Sequence, residues 1–336
     1  VKLIIQIPCY NEEKTLPITL AHLPREIPGV DQVEVLVIDD GSTDRTVEVA
    51  RAHGVDHIVR LTNNKGLAEA FMAGLDASLR LGADIIVNTD ADNQYNGADI
   101  ARLVRPILEG KADMVIGDRQ VDRVPHFSPV KRKLQKLGSW VVRQVSNTSV
   151  PDATSGFRAL SREAAMRMNV VSRFTYTLET IIQAGKKNIA LTSVPVTTNE
   201  KLRESRLFRS NWNYIKRSVS TIFRIYAMYE PLRTFAMIGA MLFGAGVLLG
   251  IRFLYYYAIG QGDGHVQSLI LAAILTIVGF QVGMIGLLAD LIGSNRRLIE
   301  DALYRLKRLE LNGVLPSSGL ERNISRRGRS SAAVQE

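Results

Sequence analysis

Three short polar clusters hold the residue types best suited to chemistry: Pro8-Cys9-Tyr10-Asn11-Glu12-Glu13, Asp39-Asp40-Gly41-Ser42-Thr43-Asp44 and Asp90-Ala91-Asp92-Asn93-Gln94. Asp90 and Asp92, one residue apart, can offer oxygens to a single hard divalent ion that keeps its remaining positions for water and phosphate. Taken alone, each cluster has a plainer explanation. Asp44 can cap a helix, Asp39 to Ser42 can form a turn, and an Asp-x-Asp pair can be a solvated loop. Together they differ, because crowded carboxylates cost free energy unless a cation or hydrogen-bond donors share their site. Each cluster directly follows a strand-like run, which puts all three at the carboxyl ends of strands, where open α/β sheets bind ligands. The chain has no G-x-G-x-x-G fingerprint and no G-x-x-x-x-G-K-[ST] loop, so a dinucleotide oxidoreductase and a P-loop phosphotransferase are disfavoured.

The elements that must position these clusters follow from the apolar pattern. Strands are expected at Leu3–Ile7, Val33–Ile38, His57–Leu61, Ile85–Thr89, Met114–Gly117, Gly156–Leu160 and Ile189–Val196. Helices are expected at Glu13–His22, Asp44–His53, Leu67–Leu81, Ala98–Leu108, Val130–Val145 and Thr177–Ala184. Continuous apolar strands alternating with amphipathic helices imply a largely parallel sheet covered on both faces.

The rest of the chain has a different character. Its 336 residues are 46% hydrophobic and 22% charged with net charge +9, a composition that excludes a disordered or collagen-like protein. The lone cysteine, Cys9, excludes an internal disulfide framework. From Phe235 to Ile259 the only charge is Arg252, and from Ser268 to Ile292 it is Asp290. Each run satisfies the roughly 20 apolar residues that a helix needs to cross a bilayer core of about 30 Å. Leu202 to Arg233 carries net +5 and Arg296 to Arg308 net +3, whereas the connector Gly260 to Gln267 has no Lys or Arg. The positive-inside rule then puts the α/β part and both termini in the cytoplasm and the connector outside. No leader is expected ahead of the first strand pattern, which starts at Lys2. Gly246-x-x-x-Gly250 and Gly279-x-x-x-Gly283 permit close packing within this hairpin or between copies of the chain. Trp212 to Tyr229 has the spacing of an interfacial amphipathic helix, and Leu298, Ala302, Leu306 and Leu309 that of a second, short one. The expected organisation is an α/β domain over 1–210, an interfacial helix over 211–231 and a membrane hairpin over 232–293. A cytoplasmic helix over 294–311 and a disordered basic tail over 312–336 complete it.

In order and spacing, Pro8-x-Tyr10-Asn11-Glu12, Asp39-Asp40-Gly41-Ser42-x-Asp44 and Asp90-Ala91-Asp92-x-Gln94 resemble the family 2 inverting glycosyltransferases of the GT-A fold. The resemblance continues through Ile116-Gly117-x-Arg119, Arg132-Lys133-Leu134, Ser155-Gly156-Phe157 and Glu204-Ser205-Arg206-Leu207, and it is similar to the polyprenyl-phosphate hexose synthases. It implies that Pro8, Tyr10, Glu12 and Asp39 or Asp40 hold the nucleoside of a sugar nucleotide. Asp90 and Asp92, with Ala91 and Gln94 beside them, would manage Mg²⁺ or Mn²⁺ and the diphosphate. Arg119, Arg203 and Arg206 would contact phosphates, with Arg206 the better match to the family's spacing. Arg132, with Lys131 and Arg119, would meet the phosphate of the lipid acceptor. The implied partners are a nucleoside-diphosphate sugar, a polyprenyl phosphate and the bilayer, not nucleic acid. Two other readings remain. A processive polysaccharide synthase would bring a Gln-x-x-Arg-Trp motif, and no Arg-Trp pair occurs here. A silent membrane scaffold would not need the acidic loops.

Overall fold

The structure, a computed structural model, describes residues 1–120, 129–170, 176–199, 224, 229–261, 264, 266–313 and 324–326, the side chains of 129–136, 145 and 324–326 excepted. It divides into two units, Val1–Ile215 with Leu303–Glu336, and Lys216–Ala302.

The first unit is built on one sheet. Its strands are β1 (Lys2–Cys9), β2 (Gln32–Asp39), β3 (His57–Arg60), β4 (Ile85–Asn88), β5 (Met114–Asp118), β6 (Arg158–Ser161), β7 (Leu191–Pro195) and β8 (Ile324–Arg326). Their order is β7-β5-β6-β4-β1-β2-β3-β8, parallel except at β6 and β8. Leu3, Ile4, Ile5 and Ile7 of β1 and Val35 to Ile38 of β2 are fully buried, as expected of strands covered on both faces. The helices are α1 (Leu16–Ala21), α2 (Thr46–Ala52), α3 (Leu67–Arg80), α4 (Ile100–Leu108), α5 (Pro129–Ser146), α6 (Arg162–Arg167) and α7 (Thr177–Lys186).

The expected strands and most of the helices are present, with ends shifted by a few residues. Helix α1 starts at Leu16 rather than Glu13, after a turn in which Thr15 N and Leu16 N donate to Glu12 O and the Thr15 hydroxyl bonds the Glu12 carboxylate. Helix α6 was not expected. It turns directly off β6, with Ser161 Oγ accepting from Ala164 N at 3.2 Å. The strand order reverses between β1 and β4, whose neighbours β2 and β6 lie on opposite sides. That reversal opens a crevice at the carboxyl ends of β1 and β4, where α/β sheets bind ligands. Strand β6 runs against β4 in the register Asn88↔Arg158, so the loop entering β6 reaches the same rim.

The second unit contains α8 (Pro231–Ala258) and most of α9 (Val266–Leu311), both long and apolar enough to cross a membrane. Small residues bring the two together. A methyl group at Gly279 would lie 2.4 Å from the Phe243 backbone nitrogen, and one at Gly246 would lie 2.5 Å from Thr276 Oγ1. Gly239 meets Gly279 and Gly283 in the same way, whereas nothing lies within 4 Å of a methyl at Gly250. Arg252 lies over the Tyr256 ring at 5.6 Å.

The amphipathic stretch after the second apolar run is the continuation of α9, without a break. Its last turns belong to the first unit, where Tyr304 donates to Glu163 at 2.8 Å and Arg80 pairs with Glu310 at 2.8 Å. Within the tail expected to be disordered, Ile324–Arg326 pairs with β3 as an edge strand. Strand pairing satisfies the exposed β3 edge, a force that composition alone does not register. The expected interfacial helix over 211–231 lies almost entirely outside the described residues.

Candidate active site

The first two acidic clusters are laced together at the ends of β1 and β2. Cys9 and Asp39 are register partners, and Asp40 N donates to Cys9 O at 2.8 Å. Asn11 adopts a left-handed conformation (φ 55°) that many residues avoid and Asn tolerates. There Asn11 N donates to Ser42 Oγ at 2.9 Å, and Asn11 Oδ1 accepts from Thr43 N at 2.8 Å. Glu12 N donates to Thr46 Oγ1 at 2.8 Å. Pro8 is buried within β1, Glu12 is buried and Tyr10 is exposed.

The two adjacent aspartates have different tasks. Asp40 is structural in its contacts, since its oxygens accept from Lys65 N at 2.8 Å and Gly66 N at 2.9 Å and so fix the loop after β3. Burial and the neighbouring Asp39 carboxylate push its pKa up, against the pull of those two N–H groups. Asp39 is completely buried and accepts from Ser42 N at 3.0 Å through Oδ1. Its Oδ2 lies 3.4 Å from Arg60 Nε but has no hydrogen-bond partner among the described residues. Buried carboxylate oxygens are rarely left without a hydrogen bond. Gly41 between the clusters is required. Its φ is +69° and a methyl group there would lie 2.5 Å from the Asn63 carbonyl carbon.

The third cluster stands across the crevice from the first. Ala91 O accepts from the Thr19 hydroxyl at 2.9 Å, and His22 Nδ1 lies 3.3 Å from Asn93 Oδ1. Asn93 takes a left-handed turn (φ 57°) that sends Gln94 back over Asp92. Gln94 then holds both Asp92 oxygens, through its backbone N at 3.2 Å and its Nε2 at 2.7 Å. Asp90 stands against Gly156, where a methyl group would come within 3.1 Å of both carboxylate oxygens. Burial first, and then the Asp92 carboxylate, push Asp90 up to about 7.

The remaining wall joins two motif residues, Arg119 and Gly156, to others with no motif in the sequence. Arg119, at the end of β5, makes a two-pronged pair with Asp152: Nε to Oδ2 at 2.7 Å and Nη2 to Oδ1 at 3.0 Å. Nη2 also donates to Thr154 Oγ1 at 2.7 Å. Burial works against the Arg119 charge, but Tyr95 and Asp152 hold its pKa above the ordinary arginine value. Burial likewise opposes ionisation of Asp152, and Arg119 overcomes it and holds that carboxyl low. Nη1 of Arg119 has no hydrogen bond among the described residues. Tyr95 OH accepts from Gly156 N at 3.0 Å, and Asn88 Nδ2 donates to Gly156 O at 2.9 Å, so both backbone groups of the glycine that abuts Asp90 are held. Below it the fully buried Arg158 donates to Thr177 O at 3.2 Å and lies over the Tyr176 ring at 5.2 Å.

Sequence reasoning identified Arg119 and the Ser155-Gly156-Phe157 run but not Asp152, Tyr95 or Asn88. Of the other expected residues, Arg203 and Arg206 lie outside the described residues, and Lys131 and Arg132 open α5 with side chains that are not described. Among the described residues no group of three or more His, Cys, Asp or Glu gathers as a metal cluster. Asp90 and Asp92 nonetheless suit a hard divalent ion, because their mutual repulsion inside a partly buried loop is what such an ion relieves.

Comparison with known proteins fits this geometry. The sequence model of glycosyl transferase family 2 matches residues 4–168. An uncharacterized glycosyltransferase of Mycobacterium bovis is 33% identical over 182 residues, covering 54% of this chain and 78% of the relative. The chain belongs to glycosyl transferase family 2. This glycosyltransferase is also 29% identical over 220 residues to a polyprenol monophosphomannose synthase of Mycolicibacterium smegmatis, covering 62% of this chain and 82% of that one. Its fold is that of glucosyl-3-phosphoglycerate synthase from Mycobacterium tuberculosis, solved with Mn²⁺, UDP and phosphoglyceric acid. There the TM-score is 0.52 at 19% identity, over 67% of this chain and 77% of that one. The α/β domain of the glycosyltransferase is thus of the GT-A type, followed by two long apolar helices.

Proposed function

We propose that this glycosyltransferase moves a sugar from a nucleoside-diphosphate sugar to a polyprenyl phosphate, with inversion, at a membrane surface. The observation that carries the reading is the meeting of two unlike groups at one rim. An acidic loop suited to a metal-bound diphosphate lies close enough to Arg119 for the guanidinium charge to act on Asp90, and Arg119 is locked by Asp152 with no hydrogen bond from Nη1 among the described residues. The polyprenol-dependent relative and the two apolar helices support the acceptor class.

The donor end is argued from β1 and β2. Asp39 Oδ2, which among the described residues has only the Arg60 ion pair at 3.4 Å, accepts a hydroxyl or N–H of the nucleoside, and Tyr10, exposed in the first loop, offers a face for the base. Asp90 and Asp92 hold Mg²⁺ or Mn²⁺, which when bound supplies positive charge against the departing phosphate. Gln94 keeps Asp92 in position for that task.

At the reacting carbon, the bond from the anomeric carbon to the donor's β-phosphate oxygen breaks, and its electron pair leaves with the nucleoside diphosphate. A lone pair on the acceptor phosphate oxygen forms the new bond from the opposite face. That oxygen is already anionic at neutral pH, so no general base is assigned, and none of the five histidines is needed. Bringing two polyanions together is the main electrostatic obstacle. Arg119 reduces it with charge-assisted hydrogen bonds from its open Nη1 edge, joined on this reading by Arg132, Arg203 and Arg206. The charge pattern around the apolar helices supports a cytoplasmic position for the catalytic unit and both termini.

The test uses the purified full chain in detergent with UDP- and GDP-sugars, a short polyprenyl phosphate and Mn²⁺ or Mg²⁺, scored by product mass. Transfer is expected for one donor, with kcat roughly 10²–10³ lower in Asp92→Ala, by analogy with loss of a transition-state charge stabiliser. Failure of every donor to yield a glycosylated lipid phosphate would refute the acceptor class. Undiminished turnover in a strong chelator would remove the metal.

A further inference from the structure

Helix α5 has a settled inner face and an unusual outer one. Its inner face packs against α7. There Ser139, Val142 and Ser146 are buried, Ser139 Oγ accepts from Ala153 N at 3.2 Å, and Gly185 of α7 lies against the Ser146 carbonyl. The opposite side carries Leu137, 48% exposed, and Trp140, 51% exposed, one turn apart. Between residues 1 and 199 these are the two most exposed large apolar side chains among the described residues. A single exposed leucine is unremarkable, but an exposed tryptophan–leucine pair on one helical stripe is a surface looking for an apolar medium.

Charge says which medium. Within Pro129–Ser146 the chain has five cations, Lys131, Arg132, Lys133, Lys136 and Arg143, and no acid. Two copies of this helix would set five cations against five with no acid between them, so self-association through α5 is electrostatically opposed. An anionic lipid surface attracts basic residues and accepts tryptophan at its headgroup level. A helix whose sequence is this basic and which exposes an apolar stripe suits that interface.

We propose that the outer face of α5 docks the catalytic unit on the bilayer, with Trp140 and Leu137 entering the headgroup region of an anionic leaflet. The proposal rests on the membrane setting of the function given above and adds a contact to it. The basic stretch of α5 gathers anionic headgroups, and the tryptophan sets the depth. Since Arg132 opens the same helix, docking also brings the expected acceptor-phosphate residue to the height at which a lipid phosphate lies.

Trp140 and Trp212 are the chain's two tryptophans, so a Trp212→Phe background isolates Trp140 emission. The full chain is reconstituted in phosphatidylcholine vesicles with or without phosphatidylglycerol, using ordinary or brominated acyl chains. The expected result is loss of Trp140 emission in brominated vesicles, deepest when phosphatidylglycerol is present. Emission unaffected by bromine overturns the proposal, including the case in which a protein partner covers the face instead. Should the Trp212→Phe chain not fold, Leu137→Ser with Trp140→Ser provides the second test. It is expected to raise the KM for long-chain polyprenyl phosphate in vesicles severalfold while leaving the KM for a short, detergent-dissolved acceptor unchanged. Equal KM values for both acceptors overturn it. Absence of any lipid-linked product from the wild-type chain would instead strike the proposed function, and the quenching result, which needs no turnover, would stand apart from it.

Discussion

Arg119 shows how far single residues can be read from a string of letters. The family resemblance marks it as a phosphate ligand, yet Asp152, which fixes its orientation, has no motif spacing and lies 33 positions away. Only the fold brings them together. Asp152→Asn would leave a largely buried guanidinium without its carboxylate, and a loss of about 3 kcal/mol is expected from such a broken pair. Thermal melting of the full chain in detergent measures this, and the accompanying rise in acceptor KM with little change in donor KM measures the lost aim of Arg119. Asp90 gives a pH prediction. Its pKa in the folded protein, about 7, lies above the ordinary aspartate value, so between roughly pH 4 and 7 the folded chain holds a proton that the unfolded chain has released. Stability therefore falls as pH rises through that window, and Asp90→Asn should flatten the slope when denaturation is followed in the presence of a chelator. Gly156→Ala pushes a methyl toward both Asp90 oxygens, and about tenfold weaker Mn²⁺ binding is expected, as for other changes just behind a metal ligand. Titration calorimetry decides it, with an unchanged melting temperature separating the effect from misfolding.

At the scale of elements, periodicity found what was long and regular. Strand β1 and helix α3 were legible because apolar runs and helical spacing persist over many residues. Helix α6 was not, since it follows β6 with no intervening turn and its start depends on a cap from that strand's last residue. The direction of β6 was likewise hidden, because a strand's residues do not state which way it runs against its neighbours. In the hairpin, spacing suggested small-residue packing but could not choose among the glycines. Gly239, Gly246 and Gly279 lie in the contact and Gly250 does not. Gly279→Leu should therefore cost about 2 kcal/mol by overpacking, whereas Gly250→Leu should cost far less. Paired melting curves in the same detergent distinguish the two.

For the molecule as a whole, the acidic clusters were readable because three of them had to share one edge of one sheet, a constraint that survives without coordinates. What the sequence left hidden in the far wall of the crevice was Asn88, Tyr95 and Asp152, which reach Gly156 and Arg119 by contacts across the fold. Because β6 runs backwards, the loop entering it meets the rim that the end of β4 supplies, so the far wall joins two separate stretches of chain: Asn88 and Tyr95 from one, residues 119–158 from the other. A genetic crossover in the turn at 109–113 therefore divides that wall. Chimaeras of two family members joined there should turn over more slowly than either parent unless Asn88, Tyr95 and the 152–156 loop come from one of them, which transfer assays on the purified chains measure. The reversed strand thus obliges a lineage to inherit the two halves of its site together.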